Sequence, residues 1–325
     1  MTELGTATGA PAPTSEEIDA AWEVVREYLE VSPMRAHGET LYKCEMHLPT
    51  GAFKVRGALA AMSAARARGI SEVVAASAGN HGAGVAFAAK ALGMRAAIVV
   101  PSGCPEIKKT KMRDGAEVIV AETPGYDETE VVARALAAER GAHFLSPFDD
   151  TDVMAGNGGT MARELLQQVP DVGAIVLAVG GGGLLSGIVS ELRAQGHGAR
   201  VVAVQSEMSP AFARSLADET TYTTWPHAVS LAEGLEGGTG HTGVRVAREA
   251  GVVAITVTEA QIARAMVSLR ADLGIRVEGS AAVVEAARQS GALSELPTPL
   301  VLVLCGGNVS DATLDDLQTQ PPTNV

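Results

Sequence analysis

Lys54 stands in the run Pro49-Thr50-Gly51-Ala52-Phe53-Lys54-Val55-Arg56-Gly57, just past a Pro/Gly break and near the start of an Ala-rich helical pattern. Most lysines are solvated surface charges. Here the flanking Phe53 and Val55 offer a different chemistry. Apolar neighbours desolvate an ammonium, lower its pKa and leave a nucleophile and base near neutral pH.

Three later segments raise the weight of that amine. Ser77-Ala78-Gly79-Asn80-His81-Gly82 is a small polar loop between a strand pattern and a helix pattern. Its amides and the Ser77 and Asn80 side chains suit a carboxylate or a ring hydroxyl, although Ser and Asn at such turns also serve simply as caps. His81 reads as a helix-start residue rather than a catalytic base. Gly180-Gly181-Gly182-Gly183, followed by Leu184, links an apolar strand to a helix. Four glycines let the backbone approach an anion closely, and the loop amides with the positive helix end favour a phosphate. The bland alternative is a tight turn, bought at a high cost in chain entropy. Cys305 closes another apolar strand ahead of Gly306-Gly307-Asn308. A buried structural thiol is the common fate of cysteine, and such a thiol can also touch a cofactor.

An amine able to form a Schiff base, a polar loop, a phosphate cradle and a partner for a ring nitrogen are the parts needed to hold and use pyridoxal phosphate. A dinucleotide fingerprint fails: counted from Gly180 its last position is Leu185, and from Gly181 it is Ser186. No G-x-x-x-x-G-K-[ST] motif is present either.

The elements that must position these residues alternate along the chain. Helical patterns over Ser15–Glu30, Phe53–Arg68, Gly79–Leu92, Pro105–Arg113, Glu128–Arg140, Asp152–Gln168, Leu184–Arg193 and Glu259–Leu273 separate short apolar strands. The strands are expected at Leu41–Met46, Val73–Ala76, Ala96–Val100, Glu117–Val120, His143–Leu145, Ala174–Val179, Val201–Val204, Val252–Thr256 and Leu300–Leu304. Such alternation predicts an α/β protein with largely parallel sheets. The stretch 222–242 has too little pattern to place, and the start from Met1 to Pro13 reads as a loose tail rather than a signal peptide.

Bulk properties narrow the classes. The 325 residues are 46% hydrophobic and 19% charged, ordinary for a globular enzyme with a sizeable core. Aromatics at 3% leave Ala, Val, Leu and Ile to fill that core. A net charge of −13 argues against nucleic-acid and anionic-membrane binding, which need basic patches. Cys44, Cys104 and Cys305 are far apart with no C-x-x-C pair, which argues against a zinc site or a disulfide framework and for a reducing, cytoplasmic setting. The apolar runs are strand-sized and too short to span a bilayer.

In order and separation, the four segments resemble the threonine/serine dehydratase and serine racemase group of fold-type II pyridoxal phosphate enzymes, from about Ile18 to Ser310. P-T-G-A-F-K-V-R-G is similar to the group's cofactor-lysine motif, which implies Lys54 as the Schiff-base residue with Phe53 beside the cofactor. S-A-G-N-H-G resembles its substrate-carboxylate loop, implying Ser77, Ala78, Gly79, Asn80 and His81 around the substrate and Asn80 against the ring hydroxyl. G-G-G-G-L-L-S-G resembles its phosphate loop, implying Gly180, Gly181, Gly182, Gly183 and Leu184. Cys305 falls where a Ser or Thr usually partners the ring nitrogen. The stretch from Phe148-Asp149-Asp150 through Ala155-Gly156-Asn157-Gly158-Gly159-Thr160 resembles a further segment of the group.

The resemblance implies two open, largely parallel twisted sheets flanked by helices, with the cofactor in the cleft between a large domain (1–65 and 149–325) and a small one (66–148). It also implies a homodimer. The implied reaction is β-elimination of a small hydroxy amino acid, Lys54 removing the Cα proton and the product hydrolysing to a 2-oxo acid and ammonia. Departures sharpen this. Racemases of the group carry a serine at the position of Ala78, so two-base racemisation is disfavoured. Metal-activated relatives place a Glu at Gln205 and another carboxylate near Ala211; neither is here, Glu207 is close by, and no metal site is expected. The C-terminal regulatory domain of the long biosynthetic dehydratases has no counterpart in this sequence. β-Replacement of the cysteine-synthase kind, racemisation and cofactor binding without turnover are the competing readings. Threonine, serine and 3-hydroxyaspartate differ only in the β substituent, and a methyl changes binding by only about 1–3 kcal/mol, so the substrate stays open. Tyr222 and Trp225 are expected either near the pocket wall or packing a loop.

Overall fold

The computed structural model describes residues 9–319. Among the described residues ten strands form two sheets: β1 (Met34–His37), β2 (Thr40–Cys44), β3 (Glu72–Ala76), β4 (Arg95–Pro101), β5 (Glu117–Ala121), β6 (His143–Phe144), β7 (Ala174–Ala178), β8 (Arg200–Ser206), β9 (Val253–Val257) and β10 (Leu300–Leu304). One sheet has the order β1-β2-β10-β7-β8-β9, the other β5-β4-β3-β6. Among the described residues the β1–β2 pair is the one antiparallel strand pair. Ala-Ile-Val-Leu-Ala of β7 and Leu-Val-Leu-Val-Leu of β10 are buried throughout, as strands covered on both faces by helices must be.

Strand order decides what meets. β10 lies between β2 and β7, with Leu300 level with both Thr40 and Ala174. The chain leaving β10 at Cys305 therefore runs beside Ala52 and Phe53: the Phe53 N–H donates to the Cys305 carbonyl at 3.0 Å, and Ala52 bridges Gly306. The loop leaving β7 is the glycine tract, and the loop leaving β3 begins at Ser77. In parallel sheets ligands gather at these carboxyl ends.

The Lys54–Ala67 helix packs on the Asn80–Leu92 helix so closely that a Cβ on Gly84 would lie 3.0 Å from the Lys54 carbonyl oxygen. The helix expected over Asp152–Gln168 is broken by a π turn at Ala155–Gly159, between Thr151–Met154 and Thr160–Gln168. The wider turn brings the Asn157 side chain to the Gly57 N–H, which donates to its Oδ1 at 2.9 Å. It also seats the turn against the Gly183–Ala194 helix, where a Cβ on Gly187 would come 2.1 Å from the Met154 carbonyl oxygen.

Several elements differ from the sequence reading. The sequence reading places no element at β1 or at the helices Ala211–Ala217, His241–Glu249, Gly279–Gln289 and Asp311–Thr319. Gly279–Gln289 is buried over its first nine residues, Glu285 included, so even its polar row is covered by the fold. The stretch 222–242 is mostly irregular, with a 3₁₀ turn at Glu233–Leu235. Residues 1–8 of the expected tail lie outside the described residues, but Ala10 and Pro11 are held. The Ala10 N–H donates to Asp149 at 3.0 Å and the Thr151 hydroxyl to the Pro11 carbonyl at 2.9 Å, long-range bonds that local composition does not reveal.

A buried ion cluster ties the Lys54 helix to its neighbours. Arg56, fully buried, donates to Glu45 through Nε at 2.8 Å and to Glu164 through Nη1 and Nη2, both at 2.8 Å. Lys43 Nζ reaches Glu164 at 2.7 Å, and the Ser32 hydroxyl reaches Glu45 at 2.6 Å. Two cations face two carboxylates. Burial would raise the Glu164 pKa, but the Arg56 guanidinium and the Lys43 ammonium overcome it and hold the group below its ordinary range. Arg56→Met leaves the two carboxylates with one cation, and urea unfolding is expected to show a loss of about 3–5 kcal/mol. Because the Glu164 pKa is depressed on folding, its contribution is complete above the unfolded value of about 4.3 and is lost as pH falls through the folded value. Unfolding midpoints should therefore drop as the pH goes below about 4.

Candidate active site

Lys54 opens its helix, and the residue is partly exposed. Nζ donates to the Pro147 carbonyl at 2.8 Å and lies 5.2 Å from the centre of the Phe53 ring. No carboxylate pairs with it among the described residues. Burial lowers its pKa to about 8. A carbonyl oxygen can only accept, so it orients the amine without neutralising a charge.

Pro147 belongs to a strap, residues 145–149, that touches three of the four segments. At one end His81 donates from Nε2 to the Leu145 carbonyl at 3.1 Å. Burial, with Lys54 nearby, lowers the His81 pKa to about 3, so the ring is neutral and a poor proton acceptor. At the other end Phe148 fills the back of the glycine loop: a Cβ on Gly181 would lie 2.1 Å from its ring and one on Gly183 2.6 Å from its carbonyl oxygen. Lys54 and Gly180–Gly183 thus meet through Phe148.

The glycine loop ends in Gly182 at φ +90°, a left-handed conformation that glycine adopts without strain. The Gly183–Ala194 helix that follows carries no side-chain cap, and its first-turn N–H groups, Leu184 included, are left as donors. That is a fitting cradle for a phosphate. Ser77 Oγ accepts from the N–H groups of Gly79 at 3.1 Å and Gly82 at 3.0 Å, which folds the Ser77–His81 loop around its own hydroxyl. Ala78 and Gly79 are partly exposed there, while His81 is buried. Cys305 is buried at the end of β10; burial, with Glu278 adding to it, pushes its thiol up and keeps it neutral.

Asn80 has partners that sequence reasoning missed. Its Nδ2 donates to Glu278 Oε1 at 2.7 Å, and its Oδ1 accepts from Asn308 Nδ2 at 2.7 Å. Burial raises the Glu278 pKa, against the donors of Asn80 and Asn308. Glu278 stands 198 positions from Asn80, immediately before a helix without a legible pattern, and no local signal marks it. Tyr222 and Trp225 pack edge to face on each other with centroids 5.5 Å apart, and the Tyr222 hydroxyl donates to Asp218. Among the described residues no group of three or more His, Cys, Asp or Glu is placed to hold a metal ion. Gln205 accepts from the Ala213 N–H at 2.9 Å and so serves as a cap for the Ala211–Ala217 helix. A cavity of about 880 Å³ at the opposite, amino ends of β3, β4 and β5 is lined by Glu72, Arg95, Arg113, Asp114, Glu117 and Arg140, far from Lys54. No helix among the described residues is long and apolar enough to cross a membrane.

Known proteins are similar to this chain in sequence and fold. The family described as "Pyridoxal-phosphate dependent enzyme" matches residues 27–306. An L-threonine ammonia-lyase of Geobacter sulfurreducens is 37% identical over 278 residues, 84% of this chain and 68% of that protein. The structure of maize serine racemase superposes with a TM-score of 0.86 at 29% identity, covering 95% of this chain and 98% of that one. A solved threonine deaminase gives 0.84 at 32% identity, covering 92% of this chain and 99% of that one.

Only a free-base amine attacks an aldehyde. The rate at which the protein captures added pyridoxal phosphate, followed by its visible absorption, is therefore expected to rise with pH through about 8 and level off above it. Lys54→Ala should show no such band at any pH.

Proposed function

The chain belongs to the pyridoxal-phosphate dependent enzyme family, and within it we propose an ammonia-lyase that eliminates the β-hydroxyl of a small hydroxy amino acid, threonine or serine, to give a 2-oxo acid and ammonia. The observation that carries the proposal is Lys54: an amine with no carboxylate partner among the described residues, pKa about 8, held at the Pro147 carbonyl on the same strap whose Leu145 carbonyl accepts from His81 and whose Phe148 backs Gly181 and Gly183. When bound, the cofactor supplies the aldehyde and the electron sink that acidifies the substrate's α-carbon.

The chain's own residues do the rest. The amides of Gly180–Gly183 and Leu184 and the positive end of the Gly183–Ala194 helix would hold the phosphate. The Ser77–His81 loop would hold the substrate carboxylate, with Asn80 at the ring hydroxyl and Phe53 at the ring. Lys54 serves as the base at the α-carbon, and the Pro147 carbonyl orients it between proton transfers. Cys305 would face the ring nitrogen. Its neutral thiol would not hold that nitrogen protonated as a carboxylate would, which would favour prompt loss of the β substituent. Ala78 has no ionisable group to return a proton from the opposite face, which separates this chain's chemistry from racemisation. The cleft between a large domain (1–65, 149–325) and a small one (66–148), a homodimer and a cytoplasmic location complete the proposal; three buried free cysteines fit a reducing compartment.

Purified protein loaded with pyridoxal phosphate should release 2-oxo acid and ammonia from L-threonine or L-serine, with no D-enantiomer accumulating on chiral analysis. Consumption that needs an added thiol and yields no 2-oxo acid would establish β-replacement instead. Cys305→Ser is expected to keep most of the activity, since a hydroxyl is as neutral as the thiol; complete loss would assign the sulfur a role of its own.

A further inference from the structure

The amide of Asn80 is held by a chain of hydrogen bonds whose direction can be worked out from its ends. At one end stands the Thr50 carbonyl, which can only accept. Asn308 must therefore turn its Nδ2 toward it, and does so at 2.9 Å. The same NH₂ donates its second hydrogen to Asn80 Oδ1 at 2.7 Å. Asn80 consequently presents Nδ2, not oxygen, to Glu278, whose Oε1 accepts at 2.7 Å. Glu278 Oε2 accepts the Asn308 N–H at 3.2 Å and closes the ring. Heavy-atom positions alone do not distinguish the two ends of an Asn side chain, but a carbonyl at one end of the chain and a carboxylate at the other do. One hydrogen on Asn80 Nδ2 is left over. The clasp also joins the two sheets: Asn80 follows β3, whereas Asn308 follows β10 and Thr50 precedes the Lys54 helix.

We propose that Glu278 is a positioning residue that fixes the Asn80 amide so that its spare Nδ2–H donates to the ring oxygen of pyridoxal phosphate, with Asn308 passing on the orientation set by the Thr50 carbonyl. This rests on the reading of Asn80 as the ring-hydroxyl partner. An amide free to flip would offer that oxygen an acceptor half of the time. The clasp removes the wrong orientation in advance, so binding does not have to. The donated bond also stabilises the ring oxygen as its anion.

Glu278→Gln tests this at nearly constant shape. Gln carries one acceptor where Glu278 has two, so its NH₂ must face either Asn80 Nδ2 or the Asn308 N–H, and the polarity of the ring is broken. The visible band of the bound cofactor should weaken in favour of the near-ultraviolet band of the protonated oxygen, as in Asn80→Ala. The dissociation constant for pyridoxal phosphate should rise roughly tenfold in both single variants, about one charge-assisted hydrogen bond. In the double variant Glu278→Gln/Asn80→Ala, both readouts should match Asn80→Ala alone, because the two residues act on one bond. A purely structural Glu278 would lower the unfolding midpoint and leave the band in place, and that result overturns the proposal. So does a double variant whose effects simply add. If Asn80→Ala itself leaves both band and affinity unchanged while Lys54 still captures the cofactor, the ring contact is absent and the inference falls, with the Lys54 assignment intact.

Discussion

Two cations half a turn apart on one helix meet opposite fates, and the site depends on the difference. Arg56 is buried against Glu45 and Glu164, which keep its charge and make its position rigid. Lys54 is given only a carbonyl oxygen. Removal from water without a counter-ion penalises the ammonium, and the amine pKa comes down to about 8. The first residue anchors the helix and the second is free to do chemistry because nothing anchors its charge. A carboxylate beside Lys54 would restore the ammonium and remove the base.

The architecture serves that arrangement. Parallel strands deliver their loops to one end, and the placing of β10 between β2 and β7 sets Cys305, Phe53 and the glycine loop side by side. The π turn at Ala155–Gly159 fills the remaining gap. Its Asn157 accepts the Gly57 N–H near the start of the Lys54 helix, while Gly158 and Gly187 let the turn lie directly on the helix behind the glycine loop. The Lys54–Ala67 helix and the Gly183–Ala194 helix are therefore packed against one wedge. The neutral His81 and Cys305 leave Lys54 as the group in this cluster best matched to move a proton near neutral pH.

Much of this was legible in the sequence, for local reasons. Val-Val-Ala-Ala of β3, the all-apolar β7 and β10, and the glycines and Ser77 that follow them carry their own signatures. Lys54 stands out in the sequence through its motif, and the structure adds the Pro147 carbonyl that its amine meets. What escaped was what depends on long-range partners. Glu278 meets Asn80 only because folding brings the two together. The Pro147 carbonyl is a backbone group, which no residue type announces. The π turn is invisible to a periodicity that assumes a regular helix, and Gly279–Gln289 is buried over its first nine residues, which a single short Ala/Val-rich run does not announce. The loose tail expected at the start gave way at Ala10 and Pro11 to distant acceptors and donors.

The central claim is that Lys54 carries the cofactor. Borohydride reduction of the pyridoxal phosphate-loaded protein, followed by digestion and mass spectrometry, makes any lysine–cofactor bond permanent and locates it. The account predicts a single modified peptide with the added mass on Lys54. Stoichiometric modification of Lys43, Lys90, Lys108, Lys109 or Lys111 instead, with Lys54 bare, would contradict it.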